Sequence, residues 1–317
     1  MVIHIGYHKS ASTFFQERIF PNLPVNYVFI SERRILDRLE SAHNFDPFLI
    51  RNWVDNEIRL KYGKKRQTET IISHEELSGH PHGYKIADPF LTARNLKEAL
   101  PDAKILVLLR NQLDYLRSMY SYRVSVKGYE YRGFNRFLTE EGLQGLFDHL
   151  EYHRLMTYYM DLFGKERVLA MPMEWLVSSS KDLFHEMLGF MELPLKTFDT
   201  DQRVNRSSDI YLTLLVWRIV NSLFAVLLRG LRFLSRNENK SFFRTRRSFY
   251  DMKRRLSTMI DTAFSGTERI KIRTYPEYAD LQDRFARSNA LLEKTLAIDL
   301  RRFGYPVDKR RNQEFRL

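Results

Sequence analysis

Short, mostly apolar runs recur along the first 171 residues, at positions 2–5, 27–30, 70–73, 104–109 and 167–171. Runs of this length without polar alternation predict strands buried on both faces, the kind that build parallel sheets. Between them, apolar positions recur at three-and-four spacing, which predicts helices over 12–19, 32–39, 47–61, 89–100, 112–124, 134–137 and 145–163. Strand and helix alternate, so the expected fold class is α/β, with a central parallel sheet flanked by helices. In such sheets ligands bind beyond the carboxyl ends of the strands. The segments to read for chemistry are therefore 6–13, 74–78, 110–118 and 172–175. No repeat shows at solenoid periods.

After position 195 the pattern changes to loop and then to long helices. The stretch 210–236 is strongly apolar, yet Arg218, Asn221, Ser222, Ala225, Arg229, Arg232 and Arg236 follow helical spacing and predict one polar, basic face. A membrane span would not tolerate so regular a stripe, so an amphipathic helix is expected. Two uses suit it: packing on the domain or on a second copy of the chain, or lying on an anionic membrane surface. The next segment, 236–255, sets eight basic residues against Glu238 and Asp251 and interleaves them with Phe242, Phe243, Phe249 and Tyr250. A solvated face is one reading and a flap contacting a sugar or headgroup is the other. A closing helix is expected over 276–302, before Gly304-Tyr305-Pro306.

At 317 residues the chain can form a sizeable core. The expected organisation is an α/β core over 1–208, a helical insertion over 209–275, and a helix within 276–317 that completes the core. The net charge of +12 favours anionic partners: a nucleotide, an acidic glycan, nucleic acid or an anionic membrane. The absence of cysteine excludes disulfides, thiolate metal sites and a cysteine nucleophile. The apolar run after Met1 is too short for a signal-peptide core and Lys9 interrupts it, which argues for a cytoplasmic protein.

The first strand runs into Gly6-Tyr7-His8-Lys9-Ser10-Ala11-Ser12-Thr13 and then a helix. The first N–H groups of a helix lack intrahelical partners and its dipole is positive there, so an oxyanion fits. Lys9 adds a point charge; Ser12 and Thr13 add hydroxyl donors. This is not a Walker A loop, because His8 rather than Gly precedes Lys9, and no G-x-G-x-x-G is present. Taken alone, the turn is read equally well as an ordinary helix cap. A second element is Arg110 at the end of the fourth strand, with Ser118 two turns into the following helix. A guanidinium and a hydroxyl so spaced can close on one phosphate from two sides.

Together these residues resemble the sulfotransferases that use 3′-phosphoadenosine 5′-phosphosulfate. That family ends its first strand in Gly-x-x-Lys-(Thr/Ser)-(Gly/Ala)-(Thr/Ser)-Thr, and segment 6–13 is similar, with Ala11 and His8 as departures from the commoner Gly and Pro. Its 3′-phosphate is held by an Arg ending a later strand and a Ser eight residues on, matching Arg110 and Ser118. Asp102-Ala103-Lys104, Arg110-Asn111-Gln112, Ser118-Met119-Tyr120, 171–176, Ser288-Asn289 and Gly304-Tyr305-Pro306 are similar to bacterial members.

The resemblance implies a P-loop-like fold and in-line transfer of a sulfuryl group to a hydroxyl, with the acceptor a carbohydrate or glycolipid. It implies Lys9 beside the bridging oxygen, with Ser10, Ala11, Ser12 and Thr13 around the 5′ group and Arg110 and Ser118 at the 3′-phosphate. No metal and no nucleic acid are implied. Glu75 aligns with the family's acidic base; His74 and Glu76 are alternates, since members acting on small phenols and alcohols use a His. Arg203 and Asn205 fall where related enzymes place a late nucleotide loop, or in a polar linker. Glu174 is expected to anchor the loop after the fifth strand. His74, His80 and His82 fit no zinc spacing, and Pro81 breaks the helix that would align them. Two rival classes are a P-loop kinase and a non-enzymatic binder of anionic glycan or membrane. The kinase needs a Gly-Lys-Ser/Thr step and a strand-ending Asp for Mg²⁺, and the sequence offers neither.

Overall fold

The computed structural model describes residues 1–79, 88–127, 132–198, 210–234, 256, 259–260 and 268–308. Strands β1 (Val2–Gly6), β2 (Asn26–Phe29), β3 (Thr70–His74), β4 (Lys104–Leu109) and β5 (Val168–Pro172) form one sheet in the order β2-β3-β1-β4-β5. Every pairing is parallel: Val2 faces Ile71 and Lys104, Phe29 faces Ser73, and Leu109 faces Pro172. The fold is the α/β class expected from the apolar runs. The chain fills the β2 side of the sheet first and then crosses to the β4 side, so β1 and β4 flank a topological switch point, where such sheets open a crevice.

The chain divides into two compact units, one of residues 1–112, 144–204 and 280–317, the other of 113–143 and 205–279. In the first, Val2, Ile71, Leu106, Leu108 and Met171 join Phe14, Phe15, Ile19 and Phe20 in one buried cluster with Leu183, Phe184, Met187 and Leu188. Each such large apolar side chain contributes about 1.5–3 kcal/mol on burial. The helix Ser180–Phe190 that covers this cluster, and the short Glu174–Ser178 before it, are absent from the helices read in the sequence. Elsewhere on the sheet, Tyr152–Phe163 packs against β4 and β5, and Pro89–Ala99 packs on that helix and on Pro47–Tyr62.

Two expected helices are broken. The one over 145–163 is split into Leu146–His149 and Tyr152–Phe163. At the break, Leu150 O accepts from Gln112 Nε2 at 3.3 Å, and Glu151 ion-pairs with Arg284 at 2.7 Å. Tertiary bonds there replace the next helical turn. The closing helix spans Tyr278–Leu296, stops at Ala297 in the left-handed region, and gives way to a 3₁₀ turn, Leu300–Phe303. Glu293 Oε1 accepts from Leu300 N–H at 2.8 Å across that stop.

In the second unit the helix Phe134–Leu143 runs well beyond the expected 134–137, and Tyr211–Leu234 is helical where the amphipathic helix is expected, the side chains of Ala225, Arg229 and Arg232 and the whole of Arg236 lying outside the description. Its polar stripe needs correction. Asn221 is only 2% exposed and donates through Nδ2 to Val124 O, in the π-turn Tyr122–Lys127, at 3.1 Å. Val216, Ile219 and Leu223 instead stand exposed. Arg123 and Glu141 form a buried, two-pronged ion pair in this unit. Among the described residues, no helix is long and apolar enough to cross a membrane. The basic segment 236–255 lies outside them.

Candidate functional site

The site is assembled at the carboxyl ends of β1, β3 and β4. Gly6 ends β1, and a Cβ there would sit 1.9 Å from Ser12 Oγ, so only glycine lets the chain fold back over the strand. Tyr7, fully buried, packs edge-on against Tyr152 and beside His149. Lys9 and Ala11 both take positive φ, 64° and 62°, and Ser10 between them does not. Alternation of this kind turns successive N–H groups toward one concavity, an arrangement that binds anions. Ser10 N–H closes the turn on Tyr7 O at 3.2 Å, and Phe14 and Phe15 N–H bond to Ala11 O at 2.9 and 3.2 Å. The hydroxyls of Ser10 and Ser12 are buried and have no hydrogen-bond partner among the described residues. Buried hydroxyls are rarely left unsatisfied, and two of them fall within this one turn. Thr13 is half-buried on the helix start.

At the exit of β4 three consecutive residues are each held. Arg110 O accepts from Tyr152 OH at 2.8 Å. Asn111 N–H donates to Glu174 Oε1 at 2.8 Å, while Asn111 Nδ2 donates to Gly304 O at 2.6 Å. Gln112 and Asn289 exchange amide bonds at 2.7 and 3.1 Å, and Asn289 also donates to Pro306 O at 2.8 Å. Tyr305 OH completes the clamp on Glu174 Oε2 at 3.1 Å. Burial raises the Glu174 carboxyl above the usual range, while its bonds to Asn111 and Tyr305 oppose the shift. Glu174 is thus an anchor, as expected for the loop after β5. Held this way, the Arg110 guanidinium donates through Nη1 to Lys9 O at 2.6 Å. Ser118 is half-buried in the helix Gln112–Ser121.

At the exit of β3, His74 caps a 3₁₀ turn, Glu75–Ser78, by accepting through Nδ1 from Glu76 N–H at 3.0 Å. The neutral ring then carries its proton on Nε2, which makes that nitrogen a donor rather than a base. Glu76 is ion-paired with Arg33, which also binds Asp37 and Glu40 at 2.8 and 2.9 Å. Glu75, half-buried, opens this turn between His74 and Glu76. Ser78, fully buried, shares its hydroxyl proton between Gly6 O at 3.1 Å and Glu75 O at 3.0 Å. Behind the turn, Ser73 Oγ bonds to His4 Nδ1 at 2.8 Å and accepts from Gln16 Nε2 at 3.0 Å.

The charges converge on Lys9. Burial lowers its pKa to about 8, the nearby Arg110 cation lowers it too, and Glu75 opposes them. Two cations and one carboxylate thus share a field at the mouth of an anion-binding turn. Such a place is poised to accept a doubly charged ligand and to stabilise charge that grows on it. Lys9, Ser10, Ala11, Ser12, Glu75 and Arg110 come together here. His80, His82, Arg203 and Asn205 lie outside the described residues. Ser73, Ser78, Tyr152, Asn289 and Tyr305 are supporting residues that sequence reasoning did not assign to the site. Asn289 and Tyr305 carried a signal as parts of the Ser288-Asn289 and Gly304-Tyr305-Pro306 resemblances, and Ser78 as the last residue of segment 74–78.

No protein-family model matches the chain, and no curated protein does. Among solved structures it is similar to several sulfotransferases. One from Alicyclobacillus acidocaldarius is 18% identical, with a TM-score of 0.46 over 69% of this chain and 92% of that one. Mouse sulfotransferase SULT7A1 complexed with PAP is 18% identical, with a TM-score of 0.39 over 62% of this chain and 60% of that one. The sulfotransferase domain of the Synechococcus PCC 7002 olefin synthase is 14% identical, with a TM-score of 0.37 over 62% of this chain and 74% of that one.

Proposed function

We propose that the protein is a sulfotransferase, moving a sulfuryl group from 3′-phosphoadenosine 5′-phosphosulfate to a hydroxyl of a carbohydrate or glycolipid. The observation that carries this reading is the meeting of Lys9, Arg110 and Glu75 around a turn with two unsatisfied buried hydroxyls. The residues suit the donor: Ser10 and Ser12 offer hydroxyls, the 9–11 turn offers N–H groups, and Gly6 lets Ser12 fold back over the end of β1. Arg110 is assigned to the 3′-phosphate.

The reaction forms a bond between the acceptor oxygen and sulfur and breaks the bond from sulfur to the bridging oxygen. The hydroxyl proton goes to Glu75, and the electron pair of the broken bond stays on the nucleotide phosphate, where the Lys9 ammonium offsets it. Glu75 is preferred as base because its charge acts directly on Lys9 at the mouth of the turn. Since sulfuryl transfer resembles phosphoryl transfer, positioning and charge stabilisation supply most of the acceleration.

A thermal-shift comparison tests the reading. 3′-Phosphoadenosine 5′-phosphate at a hundred times its Kd should stabilise the chain by about 2.7 kcal/mol. ATP with Mg²⁺ and adenosine 5′-phosphate should shift it far less. Equal shifts with all three, or none, would overturn the assignment.

A further inference from the structure

The strand order gives the site a direction. On the reading above, the donor nucleotide extends from the β1 turn toward Arg110 at the exit of β4, on one side of β1. In-line displacement requires the attacking oxygen to come from the side opposite the leaving group. The exits of β3 and β2 lie on that other side. Whatever binds the acceptor belongs there.

The end of β2 carries an anomaly. Tyr27, Val28 and Ile30 are buried, yet Phe29 between them is 41% exposed. It stands beside Ser73 in the sheet register, at the ligand end of the strands. Its ring centroid lies 5.3 Å from that of His74, tilted by 31°. The His74 ring is itself fixed by the bond it accepts from Glu76 N–H, so the phenyl group has a rigid backing. Glu75 follows His74 directly. Beyond them Arg33, half exposed and joined to Glu76, supplies a polar rim. An open aromatic face beside a carboxylate and bordered by polar groups suits a ring with a flat C–H face and outward hydroxyls.

We propose that Phe29, backed by His74, is a stacking platform for a pyranose ring of the acceptor, which it presents to Glu75 from the β2–β3 side. This rests on the sulfotransferase reading and adds a subsite to it. The platform acts on acceptor binding and leaves the nucleotide cradle alone.

Saturation-transfer NMR tests it directly, with methyl β-D-glucopyranoside and methyl β-D-galactopyranoside as probes and 3′-phosphoadenosine 5′-phosphate at saturation. The wild type should give transfer to the C–H protons of one ring face. Phe29→Ala should weaken pyranoside binding roughly three- to tenfold, Phe29→Trp should keep it, and both should leave nucleotide affinity unchanged. Because Phe29 is exposed, the variants are expected to fold, and a melting curve checks this. If the wild type binds the nucleotide but neither pyranoside, or if Phe29→Ala binds pyranosides as the wild type does, the platform is refuted. Transfer to 4-nitrophenol in place of the sugars would also refute it, since the occupant would then be an aromatic ring. Failure of the wild type to bind the nucleotide would instead count against the sulfotransferase reading itself.

Discussion

Arg110 donates through Nη1 to the backbone carbonyl of Lys9, 2.6 Å away, across a separation of 101 residues. The bond uses one of the five donors of the guanidinium fork and aims the cation at the anion-binding turn. Loops from the exits of β1 and β4 thereby become one electrostatic unit. A ligand with two anionic groups can engage both, and a ligand with one engages only part of the site.

On the proposed reading, discrimination between nucleotides depends on Arg110. Arg110→Ala should weaken binding of 3′-phosphoadenosine 5′-phosphate by about 2–4 kcal/mol, the cost of losing a charged hydrogen-bonding partner. Binding of adenosine 5′-phosphate should change much less. Isothermal titration of both nucleotides against both proteins checks this. A wild type with equal affinity for the two would remove Arg110 from the 3′ end of the ligand.

Lys9 sets a pH dependence whose sign can be worked out. Burial brings its pKa to about 8 from an ordinary 10.5, so the ammonium is lost from the free protein as pH rises through 8. The second-order rate constant for the donor should fall above that point. Stability moves the other way. Between pH 8 and 10.5 the unfolded chain binds more protons than the folded one, so this group's contribution to stability rises with pH across that window. Lys9→Met removes the buried charge and should stabilise the protein by about 1–3 kcal/mol at neutral pH. Turnover should drop by at least about 10²-fold. Chemical denaturation and donor-dependent rates at pH 6.5–9.5 would measure both effects.

Ser78 links the base turn to the cradle through the carbonyls of Gly6 and Glu75. It is a positioning residue, and its effect should fall on kcat. Ser78→Ala should lower kcat about tenfold while the KM for the donor stays within about twofold. Two carbonyls would lose a shared donor, so a stability loss of about 1–2 kcal/mol should accompany it. Steady-state kinetics with a melting curve separates the roles. A loss of stability with unchanged kcat would reduce Ser78 to a structural residue.

The strands were legible because nothing but a doubly buried strand accounts for runs such as Lys104–Leu109. The proposed site residues Lys9, Glu75 and Arg110 each follow such a run, which is why they were singled out from the sequence. What stayed hidden depends on partners distant in sequence. Leu150 and Glu151 break a helix because Gln112 and Arg284 bind them, and no local signal announces either. Ser78 ends a segment singled out after β3, but its bond to Gly6 O could not be read from sequence. Asn221 fitted a solvent-facing stripe by spacing and is instead buried against Val124. The one local departure with a readable consequence was Ala11.

Ala11 holds φ at 62° where the resembling loops more often place Gly. A left-handed backbone sets a Cβ too close to the following carbonyl, which costs roughly 1–2 kcal/mol for an ordinary residue and almost nothing for Gly. Glycine also has more freedom to lose on folding, which returns part of that gain. Ala11→Gly should therefore stabilise the protein by about 0.5–1 kcal/mol. The turn keeps its shape, so donor affinity and turnover should stay within about twofold of the wild type. Differential scanning calorimetry and donor titration on the same preparation check both. A fall in melting temperature would mean that the side chain of Ala11, packed against the cluster of Phe14 and Phe15, matters more than the strain it carries.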